Sequence, residues 1–179
     1  MLVVRVLVAC ETCFGNTGLV AQALAEGLRS AVPDADVDIV DVSRAGPGVA
    51  AGADLLVVAA PTHTFGLSRP GSRRAAREMG AAAVTSGPGM REWLRSLAAA
   101  DVPGRVATVD TRLPSAFLWG SAARAMMRRL RSLGGEPLAP PETFWLRDMS
   151  GPLLPAERDR ARRWGAELGE RLTSVTSVR

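Results

Sequence analysis

The sequence has 179 residues, long enough for one well-buried core and too short for two, so we expect a single domain over residues 1–179. Apolar residues make up 47% of the chain, yet no apolar run reaches the roughly 18 residues that span a bilayer. The 22 basic residues, all Arg, exceed the 18 acidic ones, but they are scattered and not interleaved with aromatic residues. These features exclude a membrane span and argue against nucleic-acid binding. We expect a cytoplasmic protein.

Strand-like and helix-like segments alternate along the chain. The apolar or alternating segments that predict strands are 2–9, 36–42, 54–60, 104–110 and a short one around 143–147. The segments with helical spacing are 17–31, about 70–83, 90–100, a helix marked by Ala123 to Leu133, and a last helix from Pro155. Such alternation predicts an α/β fold, a doubly wound five-stranded parallel sheet with helices on both faces. Ligands bind such sheets at the carboxyl ends of the strands, where the strand order reverses.

The first strand runs directly into a short polar turn and a helix. The turn contains no G-x-G-x-x-G and no G-x-x-x-x-G-K, which excludes a dinucleotide fingerprint and a triphosphate loop. Instead, Thr12, Asn16 and Thr17 offer neutral donors beside the helix N-terminus, and Gly15 lets the backbone approach a ligand closely. This composition indicates a monophosphate site. The alternative is a plain strand-to-helix turn in which Asn16 or Thr17 caps the helix.

The same turn resembles the phosphate loop of flavodoxins, T/S-x-T-G-x-T, except that Phe14 stands where a hydroxyl is expected. The longer run from Glu11 to Thr17 is still more similar to a bacterial branch of that family with E-S-M-F-G-N-T at this place. The resemblance implies a flavodoxin-like sheet of strand order 2-1-3-4-5 that binds flavin mononucleotide (FMN). It also implies that the phosphate is held by Thr12, Cys13, Phe14, Gly15, Asn16 and Thr17.

The loops after the third and fourth predicted strands continue the resemblance. The first reads Pro61-Thr62-His63-Thr64-Phe65-Gly66 and is similar to the P-T-H-x-F-G-x-S-R-P of the same branch. It offers Phe65 for stacking on the flavin ring and polar side chains for its pyrimidine edge. The second, Asp110-Thr111-Arg112-Leu113, resembles the branch's D-T-R. Its backbone N–H groups would bind the flavin edge, and Arg112 would either stabilise the reduced flavin near N1 or lie on the surface.

Two cysteines, Cys10 and Cys13, form a C-x-x-C next to the first strand, a pattern also found in thiol–disulfide enzymes. A position at a helix N-terminus would lower the pKa of Cys13 and favour the thiolate. However, the first cysteine of a thioredoxin-like motif opens the helix, whereas Cys10 belongs to the strand. We therefore predict two free thiols in a reducing compartment.

Together these features predict an FMN-binding, flavodoxin-like protein that acts in electron transfer with a redox partner protein. A formal charge of +4 favours a partner with an acidic docking surface, although the better-known carrier flavodoxins are acidic and use Trp and Tyr around the flavin, and this chain has no Tyr. Two alternatives stay open: an FMN-dependent oxidoreductase that reduces quinones or similar acceptors with NAD(P)H, and a module of the same fold that has lost its cofactor. The sequence predicts no catalytic triad, paired carboxylates or metal cluster.

Overall fold

The computed structural model describes residues 3–64, 66–114 and 120–176. The strands are β1 (Arg5–Cys10), β2 (Asp36–Asp41), β3 (Leu55–Pro61), β4 (Arg105–Arg112), β5 (Glu136–Pro137) and β6 (Glu142–Trp145). The α-helices are α1 (Asn16–Ala31), α2 (Pro70–Glu78), α3 (Met90–Ser96), α4 (Ala122–Ser132) and α5 (Glu157–Thr176). No helix in these ranges is both long and apolar enough to cross a membrane.

All strand pairs of the sheet are parallel, and the strand order is β2-β1-β3-β4-β5. The predicted order 2-1-3-4-5 is therefore confirmed. The order reverses between β1 and β3, because the chain leaves β1 to one side for β2 and returns to its other side for β3. The loops that follow β1 and β3 consequently meet at the carboxyl edge of the sheet, where this class of fold binds ligands.

The fifth strand differs from the prediction of one segment around 143–147, because it is broken into two pieces. β5 pairs with the start of β4 at Arg105 and Val106, and β6 pairs with its end from Val109 to Arg112. Pro140 and Pro141 lie between the pieces, and neither has an N–H group to donate to β4. The prolines explain why this edge of the sheet is discontinuous.

Two apolar layers cover the sheet. One contains the inward faces of α1 and α5, where Phe144 and Trp164 meet edge to face with ring centroids 6.5 Å apart. The other contains α3 and α4, with Trp93 and Met126 fully enclosed. Met126 and Met127 are both buried in this layer.

Helices α1 and α5 touch through their backbones, and reciprocal glycines make this possible. A Cβ atom on Gly27 would lie 1.9 Å from the carbonyl oxygen of Arg162, and one on Gly165 would lie 2.1 Å from that of Leu24. Any side chain at either position would force the helices apart. The two glycines therefore set how closely α1 and α5 pack against each other.

Several element boundaries move relative to the predictions, and one affects the site. Helices α2 and α3 end earlier than predicted, and α5 begins two residues after Pro155. β4 continues two residues beyond its predicted end, to Arg112, so Thr111 belongs to the strand as Asp110 does. Both side chains are consequently buried.

Candidate cofactor site

A cavity of about 260 Å³ opens at the carboxyl edge of the sheet. It lies between the three loops that were predicted to bind the cofactor, one face of α2 and the segment after β6. Its lining residues are Cys13, Phe14, Pro61, Thr62, His63, Thr64, Ser72, Ala75, Ala76, Met79, Thr111, Arg112, Leu113, Leu146 and Met149. Most of these are apolar, none is acidic, and Arg112 is the sole formal charge among them. The cavity therefore suits a flat apolar group that carries negative charge.

The structure brings most of the predicted site residues to this cavity, but not all. Nine line it: Cys13, Phe14, Pro61, Thr62, His63, Thr64, Thr111, Arg112 and Leu113. Six are not among the lining residues: Thr12, Gly15, Asn16, Thr17, Gly66 and Asp110. Phe65, the predicted stacking residue, lies outside the described residues. The binding roles of all these residues stay predictions.

The turn before α1 carries a run of unused backbone donors. Gly15 has a φ of 90°, a left-handed conformation that favours glycine, and it precedes the first residue of the helix. None of the N–H groups from Thr12 to Gly18 donates a hydrogen bond to a described residue. No side chain caps the helix, and its first turn has no acidic residue. Unused N–H groups at the positive end of a helix dipole form a site for an anion.

Two polar side chains of the same turn are already engaged within the protein. The Asn16 amide donates to the carbonyl oxygen of Ser150 at 2.8 Å, and the Thr17 hydroxyl lies 2.8 Å from that of Thr111. Gly151 packs so closely on Asn16 that a Cβ there would lie 2.5 Å from its amide nitrogen. Asn16 and Thr17 therefore tie α1 to the segment after β6 and to β4.

Asp110 links the end of β4 to the residue after β3, to the start of α4 and to β6. Its carboxylate accepts hydrogen bonds from the hydroxyls of Thr62 at 2.7 Å, Ser121 at 2.6 Å and Thr143 at 2.7 Å, and from the backbone N–H of Ala123 at 3.1 Å. The Thr62 hydroxyl also accepts from the N–H of Ala122, at the start of α4. These contacts hold the end of β3, the end of β4 and the start of α4 in one arrangement beneath the cavity.

Cys13 and His63 meet on the cavity wall. The Sγ atom lies 3.8 Å from Nε2, and reciprocal backbone hydrogen bonds between His63 and Gly66 hold the loop in a tight turn. Burial and then the negative charge of Glu11 raise the pKa of Cys13 to about 12, although Arg73 acts in the opposite direction. Burial also lowers the pKa of His63 below its ordinary 6.5. At neutral pH the pair is therefore a thiol and a neutral imidazole.

The predicted lowering of the Cys13 pKa is wrong, because burial, with the nearby charge of Glu11, raises this pKa. Cys10 is likewise raised to about 12 by burial, with Asp41 and Glu11 acting in the same direction. Both cysteines are free and buried, which confirms the prediction of two free thiols. A thiol with so high a pKa is almost entirely protonated at neutral pH and is therefore a poor nucleophile for disulfide exchange.

A cluster of charged side chains around Glu11 and Arg73 lies near the part of the cavity wall that contains Cys13. The Glu11 carboxylate accepts from the Ser68 hydroxyl at 2.6 Å and from the N–H of Met90 at 2.8 Å. The Arg73 guanidinium donates to Ser68 and forms an ion pair with Glu92, both at 3.0 Å. The cluster thus joins β1 to the loop after β3, to α2 and to α3.

Arg112 is the cation of the cavity and is held in place. Its Nη1 group donates to the carbonyl oxygen of Gly120 at 2.7 Å, and its guanidinium carbon lies 5.8 Å from the centre of the Trp145 ring. Trp145 is half-buried at the end of β6. The packing against Trp145 fixes a positive charge at the end of β4.

The cavity wall that α2 provides was not predicted from the sequence. Ser72, Ala75, Ala76 and Met79 follow the i, i+3, i+4, i+7 spacing of a single helix face. That spacing was the available signal, but small residues on one face also suit ordinary packing. Met149 completes the rim, and it and Met79 expose more than half of their side-chain area. Exposed methionines at a cavity mouth offer adaptable apolar contact.

Comparisons with known proteins bear on the fold. No family model matches the chain, and no curated protein matches it. Among solved structures, a flavodoxin from the domain Archaea is 15% identical, with a TM-score of 0.63 over 94% of this chain and 98% of that one. Two-electron reduced Megasphaera elsdenii flavodoxin is 16% identical, with a TM-score of 0.62 over 92% and 98%. The Flv1 flavodiiron core from Synechocystis sp. PCC6803 is 13% identical, with a TM-score of 0.58 over 97% of this chain and 36% of that one.

These likenesses, all below 20% identity, show that the chain has the flavodoxin fold. They do not show that the chain has the activity of any of these proteins, because proteins with one fold can have many different functions.

Proposed function

We propose that this protein binds FMN non-covalently and acts in electron transfer. The phosphate binds to the backbone N–H groups of the turn before α1, and the isoalloxazine ring lies in the cavity beside it. The bound flavin would supply the redox chemistry. The protein's own residues bind the group, orient it and set the charge around it.

The observation that carries the proposal is the run of unused N–H donors from Thr12 to Gly18 next to the apolar cavity. Cys13 and Phe14 belong both to this turn and to the cavity wall, so the two subsites are continuous. A phosphate held by neutral donors and a flat apolar ring are the two halves of FMN. Phe14 removes a hydroxyl from the turn, but its ring packs with Cys13 and Ala76 and adds apolar surface to the ring subsite.

The size of the cavity favours transfer to another protein over reaction with a small substrate inside it. At about 260 Å³ it lies just below the range of about 300–1,000 Å³ that encloses most ligands. Met79 and Met149 line the cavity and are both exposed, so a partner protein could approach a flavin held there within electron-transfer distance.

Arg112 gives the cavity its electrostatic character. The reduced flavin is more negative than the oxidised one, and a cation in a partly buried site stabilises the added charge. We expect Arg112→Gln to lower the midpoint potential of the bound flavin. The basic excess of the chain further favours a partner with an acidic surface, with weaker association at high salt.

The first test is the visible absorption spectrum before and after addition of FMN, followed by titration of FMN fluorescence. Quenching with saturation, and flavin absorption retained through desalting, support the proposal. Riboflavin, which lacks the phosphate, should bind at least about tenfold more weakly, a difference of about 1.4 kcal/mol. A protein that neither takes up FMN nor quenches it contradicts the proposal and favours the module without cofactor.

Two glycines with the same backbone conformation, one in the proposed phosphate subsite and one outside it, allow a matched test of that subsite. Gly15 and Gly80 both have a φ of 90°, and a Cβ at either would have no neighbour within 4 Å. An alanine substitution therefore imposes similar backbone strain at both positions. Gly15→Ala should weaken FMN binding and leave riboflavin binding nearly unchanged, whereas Gly80→Ala should alter neither. Equal effects of the two substitutions would argue against a phosphate at the turn.

The enzymatic alternative is separated from the carrier by turnover. An FMN-dependent oxidoreductase consumes NAD(P)H with a quinone at a catalytic rate, whereas a carrier needs a reductase to reduce its flavin. Rapid oxidation of NAD(P)H by the loaded protein alone would replace electron transfer with this alternative.

A further inference from the structure

A small polar cavity lies behind the turn, separate from the proposed flavin cavity. Its volume is about 10 Å³. It is lined by Glu11, Thr12, Asp41, Val42, Ser43, Arg73, Ala83, Val84, Thr85, Pro88 and Gly89. Its walls therefore come from the turn after β1, from the end of β2, from α2 and from the segment that leads to α3.

Two hydroxyl groups are orphaned at this cavity. The Oγ1 atom of Thr12 and the Oγ atom of Ser43 are both buried, and neither has a hydrogen-bond partner among the described residues. A buried hydroxyl without a partner is destabilising, so native structures rarely leave one. Two such groups on the walls of one polar cavity point to a shared ligand.

The size and charge of the cavity select that ligand. A volume of about 10 Å³ is close to the smallest space that holds one water molecule, which also needs two to four polar partners. The buried guanidinium of Arg73 and the carboxylates of Glu11 and Asp41 line the same space, so the charges around it are mixed and favour neither a cation nor an anion. The guanidinium also has N–H donors beyond the Nη1 group that contacts Ser68 and Glu92. A neutral molecule that can both donate and accept satisfies all three groups.

We propose that one buried water molecule bridges the hydroxyls of Thr12 and Ser43 and braces the turn against β2. The surrounding backbone supports this role. The N–H of Ala83 donates to the carbonyl oxygen of Cys13 at 3.2 Å, and a Cβ on Gly87 would lie 2.7 Å from the carbonyl oxygen of Ser43. The segment over residues 83–89 thus covers the cavity from the turn to Ser43.

This assignment changes the part that Thr12 plays. The resemblance implies that its hydroxyl binds the phosphate, whereas in the structure that hydroxyl is buried, Thr12 lines the small cavity, and its methyl group packs 3.6 Å from the Cβ position of Gly18. Thr12 is then a positioning residue, which holds the shape of the turn while backbone N–H groups bind the ligand.

Unfolding of the full chain tests the bridge without any cofactor. Thr12→Val and Ser43→Ala should each lower the melting midpoint by about 2–4 °C, the shift expected for one lost buried hydrogen bond in a chain of this size. The double variant should lower it by clearly less than the sum, because each single change already disrupts the water site. Thr12→Ser keeps the hydroxyl and should restore the midpoint. Additive shifts, or no shift in either single variant, would overturn the proposal.

A crystal structure gives the direct observation. An ordered water within about 2.7–3.2 Å of both oxygens is the expected result. A direct bond between the two hydroxyls, or density that touches one of them alone, would overturn the bridge.

FMN titration tests the positioning role, and this arm alone rests on the proposed function. If Thr12 acts through the water, Thr12→Val and Ser43→Ala weaken FMN binding by similar factors, within about threefold of each other, well under the tenfold that 1.4 kcal/mol represents. If Thr12→Val weakens FMN binding more than about tenfold further than Ser43→Ala does, the Thr12 hydroxyl binds the phosphate directly and the positioning role is wrong. Absence of FMN binding in the unmodified protein would contradict the proposed function and leave the unfolding result to decide the water site.

Discussion

The hydroxyl oxygens of Thr17 and Thr111 lie 2.8 Å apart in the interior and join the start of α1 to the end of β4. They are 94 residues apart in the sequence, and each side chain is about 1% exposed. This contact links the turn that we assign to the phosphate with the strand that carries Arg112. It therefore fixes the distance between the two ends of the proposed flavin site.

We expect Thr17→Val or Thr111→Val alone to lower the free energy of unfolding by about 1–3 kcal/mol, because each leaves the other hydroxyl buried without its partner. The variant with both changes should be more stable than the sum of the single effects predicts, since it leaves no orphaned group. Urea denaturation with a common slope measures all three. A purely additive double variant would mean that the hydroxyls do not interact.

Asp110→Asn should be the most damaging polar substitution near the cavity. The amide offers one acceptor oxygen where the carboxylate accepts four hydrogen bonds, and its NH₂ group would face donors. We expect a loss of about 2–4 kcal/mol in the free energy of unfolding. Asp38→Asn, an equivalent change on the exposed edge strand β2, serves as the control and should stay within about 0.5 kcal/mol.

His63 is the single histidine of the chain, so its imidazole gives one assignable proton NMR titration. Because burial lowers its pKa in the folded protein, the unfolded chain binds the proton at higher pH than the folded one. Its contribution to stability is therefore complete above about pH 6.5 and is lost as the pH falls from there towards the folded pKa. His63→Gln should remove this part of the pH dependence. A titration above 6.5 would contradict the assignment.

The thiols should react slowly in the native protein. Cys10 and Cys13 are buried, and their pKa values of about 12 keep them protonated at pH 8. We expect a chromogenic disulfide reagent to label less than one thiol per chain over minutes in buffer and both thiols at once in denaturant. Fast labelling of Cys13 in the native protein would reopen the thiol-exchange alternative.

Glycine substitutions test the contact between α1 and α5. Gly165→Ala places a methyl group within 2.1 Å of a backbone oxygen of α1 and should cost about 2–4 kcal/mol of unfolding free energy. Gly71→Ala is the control, because a Cβ there meets nothing within 4 Å inside the helix α2. It should be neutral or stabilise by up to about 1 kcal/mol. Equal effects at the two positions would contradict the close approach of the helices.

Much of the architecture was predictable from local patterns. The alternation of apolar strands with amphipathic helices predicts a doubly wound sheet, because a parallel strand needs a helical crossover. That rule also places the loops after β1, β3 and β4 at one edge, and nine predicted residues do line a common cavity there. The close helix contact at Gly27 and Gly165 was not predictable, because a glycine by itself does not reveal its neighbour.

The direction of individual side chains was decided by the tertiary structure. The sequence predicts ligand contacts for four polar residues, Asn16, Thr17, Thr62 and Asp110. In the structure each of them forms a hydrogen bond with a residue of another element. A buried polar group is satisfied by whichever donor or acceptor the fold brings near, and that donor can be 134 residues away, as Ser150 is from Asn16. The sequence by itself therefore determined the fold class and the edge of the sheet where the cavity opens. Only the packed structure decided which polar groups hold the protein together and which backbone donors stay available for a ligand.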